Sequence, residues 1–421
     1  MHQDAPMHPD KRNLYRLPWS LNDNPIGWLE VTDICNLHCR GCYRQTLEGH
    51  KTLEQLKEEI LFLKRWRNCD NISIAGGECL LHPEIVEIVD FISRNGMKPY
   101  ILSNGLRLER GLLRELKKAN LVGVGFHVDS LQNRPGWQNK NELELCDLRQ
   151  SLAEMVAEVG GVPCGFGITV YRENFQYIPD LIRWNLKNRK IVQGATFITY
   201  RSAIEDTQYT VDNKKIELTP DTLGYVSSDK PEDIGIGSAD VYELIKREFP
   251  QYDASAYLGG TQLHDSIKWL VGMIVASEHE VLGHVGRRGA ELAQVGNHLL
   301  NGTYFVYRKD FHLGKKALLL GLIDKEIRPV VNWYLKNPFR LLFEPVYGIS
   351  IGIIQAPDVL ADGRVDHCDS CPDMTYFDGK LVHSCRLDEY RKFGKLMQAA
   401  PKGEPALAQT NLVSATPRSQ P

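Results

Sequence analysis

Several things are missing from this chain of 421 residues, and each absence removes a class of function. No stretch reaches the roughly 18 uninterrupted apolar residues that a membrane-spanning helix needs, so none is expected. Neither sign of charge dominates: 50 Lys and Arg face 53 Asp and Glu, a formal net charge of −3. That balance gives no electrostatic footprint for a nucleic-acid partner. The opening residues, Met1-His2-Gln3-Asp4-Ala5-Pro6, lack the apolar core of a secretory signal, so a cytoplasmic protein is expected. Disulfides do not persist in that compartment, and the ten cysteines are expected as thiols or metal ligands. The stretch His279-Glu280-Val281-Leu282-Gly283-His284 lacks zinc-protease spacing. Five residues apart on a helix, its histidines point about 140° from each other, so surface or capping roles are expected.

Against these absences stand 43% hydrophobic residues, enough for a large core and two or three domains. Six cysteines fall in two tight groups, while Cys69, Cys79, Cys146 and Cys164 are scattered and expected as buried thiols. The first group is Cys35-Asn36-Leu37-His38-Cys39-Arg40-Gly41-Cys42, a C-x3-C-x2-C loop directly after the apolar run Ile26–Val31. Three thiolates on so short a loop can grip one face of a compact inorganic centre. A [4Fe–4S] cube has four irons, so three cysteines leave one iron open to a small molecule. On the motif alone, a zinc loop or structural thiols remain the alternative.

From Ile26 to Thr199 short apolar runs alternate with helical periodicity. Thr52 with Gln55 makes a capping box, and Leu53, Leu56, Ile60 and Leu63 mark one buried face. Strands are expected near 26–31, 71–75, 100–102, 121–128, 164–170 and 195–198. Helices are expected near 52–63, 83–95, 108–119, 142–159 and 175–187. Six such units predict an α/β fold, a partial (β/α)6 TIM-like barrel over 26–200 with right-handed crossovers and chemistry at the C-terminal strand ends. The polar and conformationally special residues lie there. Gly76 and Gly77 let backbone approach a ligand, and Glu78 can accept from an ammonium group. Ser103-Asn104-Gly105 follows the third strand. His127, Asp129 and Ser130 follow the fourth, facing a ligand or serving as a plain loop with a capping Asp. Thr169 and Asn174 follow the fifth.

Taken together and in order, these elements resemble the radical S-adenosylmethionine (SAM) superfamily. The resemblance implies that Cys35, Cys39 and Cys42 hold a [4Fe–4S] cluster whose open iron SAM chelates, and that SAM is cleaved reductively to a 5′-deoxyadenosyl radical. A reductant such as flavodoxin or ferredoxin is implied as a partner. The stretch Gly76-Gly77-Glu78-Cys79 is similar to the family's Gly-Gly-Glu-Pro element at the SAM amino group, with Cys79 in the proline's place as a passive replacement. Ser103-Asn104-Gly105 is similar to a Thr-Asn-Gly turn on the ribose side. His127, Asp129, Thr169 and Asn174 complete the implied cofactor-binding set. One departure is Gly41, where the family often has an aromatic before the third cysteine; Tyr43 stands just after it. No catalytic acid or base is assigned.

The remaining segments are a polar arm (1–25), a mostly helical cap (201–355), a small cysteine-rich domain (356–396) and a disordered tail (397–421). Residues 262–300 read as helical and carry His264, His279, His284 and His298, with Glu278, Arg287, Arg288 and Glu291 as a solvated face or an anion site. Residues 311–356 are unusually apolar. They read as the core of a helical insertion, a wall for a long apolar substrate, or a surface resting peripherally on a membrane with Lys309, Lys315, Lys316, Lys336 and Arg340 flanking it. In the second group, Cys368 and Cys371 are followed by Cys385 after thirteen residues, with Asp378-Gly379 at a hairpin turn between. This spacing resembles the auxiliary cluster of the molybdenum-cofactor cyclase, and more loosely the SPASM and twitch extensions, over only about twenty residues. It implies a second [4Fe–4S] cluster; a Cys3His zinc site with His367 or His383 is the alternative. A small molecule or a lipid is the expected substrate, with a peptide as the alternative.

Overall fold

The computed structural model describes residues 8–44, 49–200, 203–204, 207–217, 226–227, 235–263, 265–307, 316–360 and 364–401. Six strands appear in the expected order: β1 Ile26–Glu30, β2 Asn71–Ala75, β3 Lys98–Ser103, β4 Gly123–His127, β5 Cys164–Val170 and β6 Val192–Thr199. Each is parallel to the next. The helices between them are α1 Leu53–Arg67, α2 Ile85–Arg94, α3 Arg110–Lys118, α4 Cys146–Val159 and α5 Ile178–Lys187. Thr52 and Gln55 close the capping box of α1, and Leu56, Ile60 and Leu63 on its inner face are buried. Gly123 is small for a reason: a Cβ there would lie 2.6 Å from the Tyr100 ring.

The next region is not mostly helical. Among the described residues it contains α6 Ser238–Glu248, then the strands β7 Ala254–Gly259, β8 Ile267–Ala276 and β9 Val281–His284, then the helices α7 Arg287–Asn301, α8 Lys316–Ile323, α9 Arg328–Lys336 and α10 Arg340–Phe343. The strand β10 Tyr347–Gln355 follows. The helix expected over 262–300 is therefore a β-hairpin and then a helix. An apolar run such as Trp269–Ala276 suits a buried strand or a buried helix equally, and pairing with β10 decides it. His279 and His284 consequently sit on a hairpin, and His298 pairs with Asp23 at 2.8 Å. Arg287, Arg288 and Glu291 lie exposed on α7, and Glu278 pairs with Lys190. His264, Lys309 and Lys315 lie outside the described residues.

These later strands extend the barrel sheet. β10 is parallel to β6, β8 is antiparallel to β10, β7 is antiparallel to β8, and Tyr15–Arg16 of the N-terminal arm is parallel to β7. The ordered path thus runs from Tyr15–Arg16 round to β1. Laid flat, its ten strands would separate the two ends by about 43 Å. Only ten peptide steps join Arg16 to Ile26, a reach of roughly 35 Å at most, so the sheet must curl. α7 bridges the gap through His298 to Asp23 and Gln294 to Trp19. Inside the curl, Tyr307 stacks on Tyr100 with ring centroids 3.7 Å apart and meets the Ser73 hydroxyl.

The C-terminal part forms the hairpin β11 Met374–Phe377 and β12 Lys380–His383, then α11 Leu387–Phe393. The expected Asp378-Gly379 turn is present, with φ of 46° and 74°. The hairpin packs beside β1, whose other neighbour is β2. The tail departs from expectation where it is described: Gln398–Pro401 is a strand antiparallel to Thr207–Val211, and Ala399 is buried with Tyr209 and Met397. The rest of the tail lies outside the described residues.

Candidate active site

The cysteine loop leaves the C-terminal end of β1 and is held from three sides. From β2, the amides of Gly77 and Glu78 donate to the carbonyls of Thr32 and Ile34 at 2.7 and 2.8 Å. A Cβ on Gly76 or Gly77 would strike those same carbonyls at 2.4 and 2.3 Å. The two glycines therefore allow a close backbone approach to the cysteine loop. From β3, Asn104 Nδ2 donates to Asn36 Oδ1 at 2.7 Å. From the β5 side, the Tyr171 hydroxyl would meet a Cβ on Gly41 at 2.4 Å. The aromatic common at that position in the resembled family has no room here, because Tyr171 and Tyr200 fill the space.

Glu78 is almost wholly buried. Its carboxylate accepts from Ser103 Oγ at 2.7 Å, from the Asn104 amide at 2.7 Å and from the Leu80 amide at 3.1 Å. Burial nevertheless pushes its pKa up, against the pull of these bonds. Two oxygens offer about four acceptor sites, so one remains for a further donor. Ser103, Asn104 and Gly105 thus form one unit with Glu78, and Gly105, at φ +78°, makes the turn. Cys79 is buried and donates to the Leu102 carbonyl, as a passive thiol does.

His127 Nε2 lies 3.0 Å from Asp129 Oδ2 and 3.0 Å from Thr169 Oγ1. With Asp129 ionised, the ring donates to it from Nε2. Asn174 has a different place from the one expected. Its amide donates to Glu142 and to the Thr169 carbonyl, and its oxygen accepts from the Tyr171 amide. These bonds pin the loop after β5 and commit the side chain to structure. Arg134, nearly fully buried, donates to the carbonyls of Asn104 and His127. Sequence reasoning missed Arg134, Glu142 and Tyr171, since none belongs to a spaced motif; an arginine five residues beyond Asp129 was the only signal.

Cys35, Cys39 and Cys42 are half-buried; Cys35 raises the pKa of both others, and Cys42 raises that of Cys39. Burial is the larger cause for all three. A bound cationic centre is what would let such thiols ionise. Among the described residues no three His, Cys, Asp or Glu side chains converge on a single metal ion. Three thiolates on one short loop are a donor set that would serve a [4Fe–4S] cube, one thiolate to each of three irons.

The second cysteine group lies along the outer edge of β1. Arg67, fully buried at the end of α1, donates to the carbonyls of Ile26, Cys371 and Pro372. Arg44, two residues after Cys42, pairs with both Glu30 and Asp388, and all three are buried. Arg391 pairs with Asp33 at 2.6 Å. The β11–β12 hairpin returns Cys385 toward Cys371, which lies beside Cys368. His367 and His383 stack on each other at 4.5 Å, and His367 Nε2 faces Arg386 at 3.2 Å.

The apolar segment 316–346 lies at the opposite end of the barrel. Ser350 is level with Gly194, so Tyr347 sits beyond the first turn of β6, at the N-terminal strand ends. Ile349, Ile351 and Ile353 pack outward against α5 and α6. The segment therefore forms no wall beside the cysteine loop.

Residues 29–185 match the family profile described as Radical SAM superfamily. The chain is 32% identical over 111 residues to the antilisterial bacteriocin subtilosin biosynthesis protein AlbA of Bacillus subtilis, covering 25% of this chain and 24% of that protein. It is 24% identical over 196 residues to a probable GTP 3′,8-cyclase of Methanocaldococcus jannaschii, covering 45% and 64%. A solved structure of anSMEcpe with AdoMet and the Cp18Cys peptide aligns with a TM-score of 0.38 and 14% identity, over 53% and 58% of the two chains. The chain thus spans less than two thirds of the length of these relatives. Among the described residues no helix is long and apolar enough to cross a membrane. The profile begins within β1 and ends within α5, so the part of the chain that builds the cysteine loop is a radical SAM domain.

Proposed function

We propose that this protein is an enzyme that cleaves SAM reductively and abstracts hydrogen from an unactivated carbon of a small molecule. Cys35, Cys39 and Cys42 would hold a [4Fe–4S] cluster, which would supply the electron for reductive cleavage of SAM. The observation that carries the reading is the Glu78 carboxylate, which ties the Gly76–Glu78 segment to the Ser103–Gly105 turn while both hold the cysteine loop. Its remaining acceptor site suits the ammonium of SAM. Arg134 supplies a fixed positive charge beneath the site, and Asp129 holds the His127 ring toward the barrel interior. Cys368, Cys371 and Cys385 would hold a second cluster.

The substrate class is argued from the inner face. Along β4, β5, β6 and β10 the outward residues are buried under helices, whereas Gly125, Gly167, Thr196, Ser350 and Gly352 stay accessible, with Ile198 and Ile354 as the apolar members of that face. Small and hydroxyl-bearing residues favour a compact polar substrate over a long apolar chain. Modification of a peptide is a second reading, favoured by the identity to a bacteriocin biosynthesis protein. The test is anaerobic reconstitution with dithionite and SAM. The expected result is 5′-deoxyadenosine and methionine in equal amounts, lost in Cys42→Ala. Absence of 5′-deoxyadenosine from iron-loaded wild-type protein would overturn the reading.

A further inference from the structure

The helices between β9 and β10 turn a dense group of apolar side chains outward. Leu319 and Leu322 on α8, Leu335 on α9, and Phe339, Leu342 and Phe343 at α10 are between 68% and 78% exposed. The other sides of the same helices are fully used: Ala317, Val330, Trp333 and Tyr334 are buried against Val275 and Val346. The outward residues are therefore surplus to the core. An exposed concentration of this kind marks a contact surface.

The charge around it is distinctive. Residues 316–344 hold Lys316, Lys325, Arg328, Lys336 and Arg340 against Asp324, Glu326 and Glu344, an excess of two positive charges in a chain whose net charge is −3. Asp324 is buried and turned inward, accepting from the amides of Gly286, Gly289 and Glu326. Arg340 lies over the Trp333 ring at 4.3 Å, at the boundary between apolar and polar atoms. The helices are short, of 8, 9 and 4 residues, and the exposed side chains cluster at their ends and turns. Such a surface offers neither a continuous helical stripe nor a groove to interlock with a protein. A lipid surface asks only for apolar depth and complementary charge.

We propose that α8–α10 dock this protein peripherally on an anionic lipid surface. The docking face lies at the N-terminal strand ends, opposite the cysteine loop. The contact therefore holds the barrel with its active end turned away from the lipid, and serves attachment rather than entry of a lipid substrate. This inference stands independently of the SAM chemistry.

The test is co-sedimentation of the full-length, cluster-loaded protein with vesicles of phosphatidylcholine alone and of phosphatidylcholine with phosphatidylglycerol. Binding to the anionic vesicles is expected to be at least about tenfold tighter, and to weaken as salt rises. A Leu322→Asp, Phe343→Asp variant should lose that binding by at least about tenfold, with iron content and melting temperature unchanged. These side chains are more than three-quarters exposed, so the variant should fold. Arg328→Glu with Lys336→Glu should abolish the preference for anionic vesicles. Equal sedimentation of wild type and the Asp variant, or no sedimentation of wild type, would overturn the proposal. So would a wild-type dimer, measured by light scattering, that the Asp variant converts to monomer, since the surface would then join two copies of this chain.

Discussion

Glu78 joins two strand ends through its buried carboxylate and reaches the cysteine loop through its backbone amide. Glu78→Gln keeps the shape but presents an amide where Ser103, Asn104 and Leu80 all donate. SAM affinity should fall at least about tenfold with iron content unchanged, measured by equilibrium dialysis. The raised pKa of Glu78 has a consequence for the cluster-free protein. Its folded form holds the proton above the unfolded value of 4.5, so this group's contribution to stability is full below that value and is lost as pH rises through the raised pKa. Denaturant titrations across pH should show a steeper decline on that limb for wild type than for Glu78→Gln. Gly41 yields a second expectation at this scale. Gly41→Ala collides with the Tyr171 hydroxyl and should lower iron retention, and Tyr171→Phe should restore part of it, a coupling on the order of 1 kcal/mol.

Among the elements, the join between the barrel and the C-terminal hairpin depends on charge buried between them. Arg44 faces Glu30 and Asp388 in the interior. Arg44→Met leaves the buried Glu30 carboxylate without its cation and takes from Asp388 the nearer of its two cations, and should cost about 3–5 kcal/mol in denaturant unfolding. Adding Glu30→Gln and Asp388→Asn should recover much of that loss. The six strand–helix units were legible because each helix carries an apolar stripe and each strand is bracketed by turn residues, as Thr52 to Asn68 and Asn95-Gly96 illustrate. The β8–β10 strands were not. Ile267–Ala276 and Ile349–Ile354 are apolar runs whose partners lie about 80 residues apart, and only that distant pairing makes them strands.

For the molecule as a whole, two cysteine groups separated by more than 300 residues both adjoin β1, one at its C-terminal end and one along its outer edge; Arg44 ties the first to α11, and Arg67 ties the second to the start of β1. About eight irons per chain are expected after reconstitution, and Cys385→Ala should leave about four while 5′-deoxyadenosine formation from the first cluster persists. A count of about four irons with one zinc in wild type would assign the second group to zinc.

The chain's own order of residues was enough for the radical SAM resemblance of the first site and for the parallel half of the barrel. Both rest on short-range patterns: three thiols within eight residues, glycines beside a carboxylate, and apolar periodicity within each helix. It was also enough for the β11–β12 hairpin, whose turn is a two-residue signal. The tertiary structure alone decided that the later strands complete the curl, that Arg134 and Glu142 hold the site, that Asn174 is committed to a loop, and that the apolar helices lie at the far end from the cysteines. Each of these is a contact between residues distant in sequence, where one residue's role depends on which partner the fold brings to it.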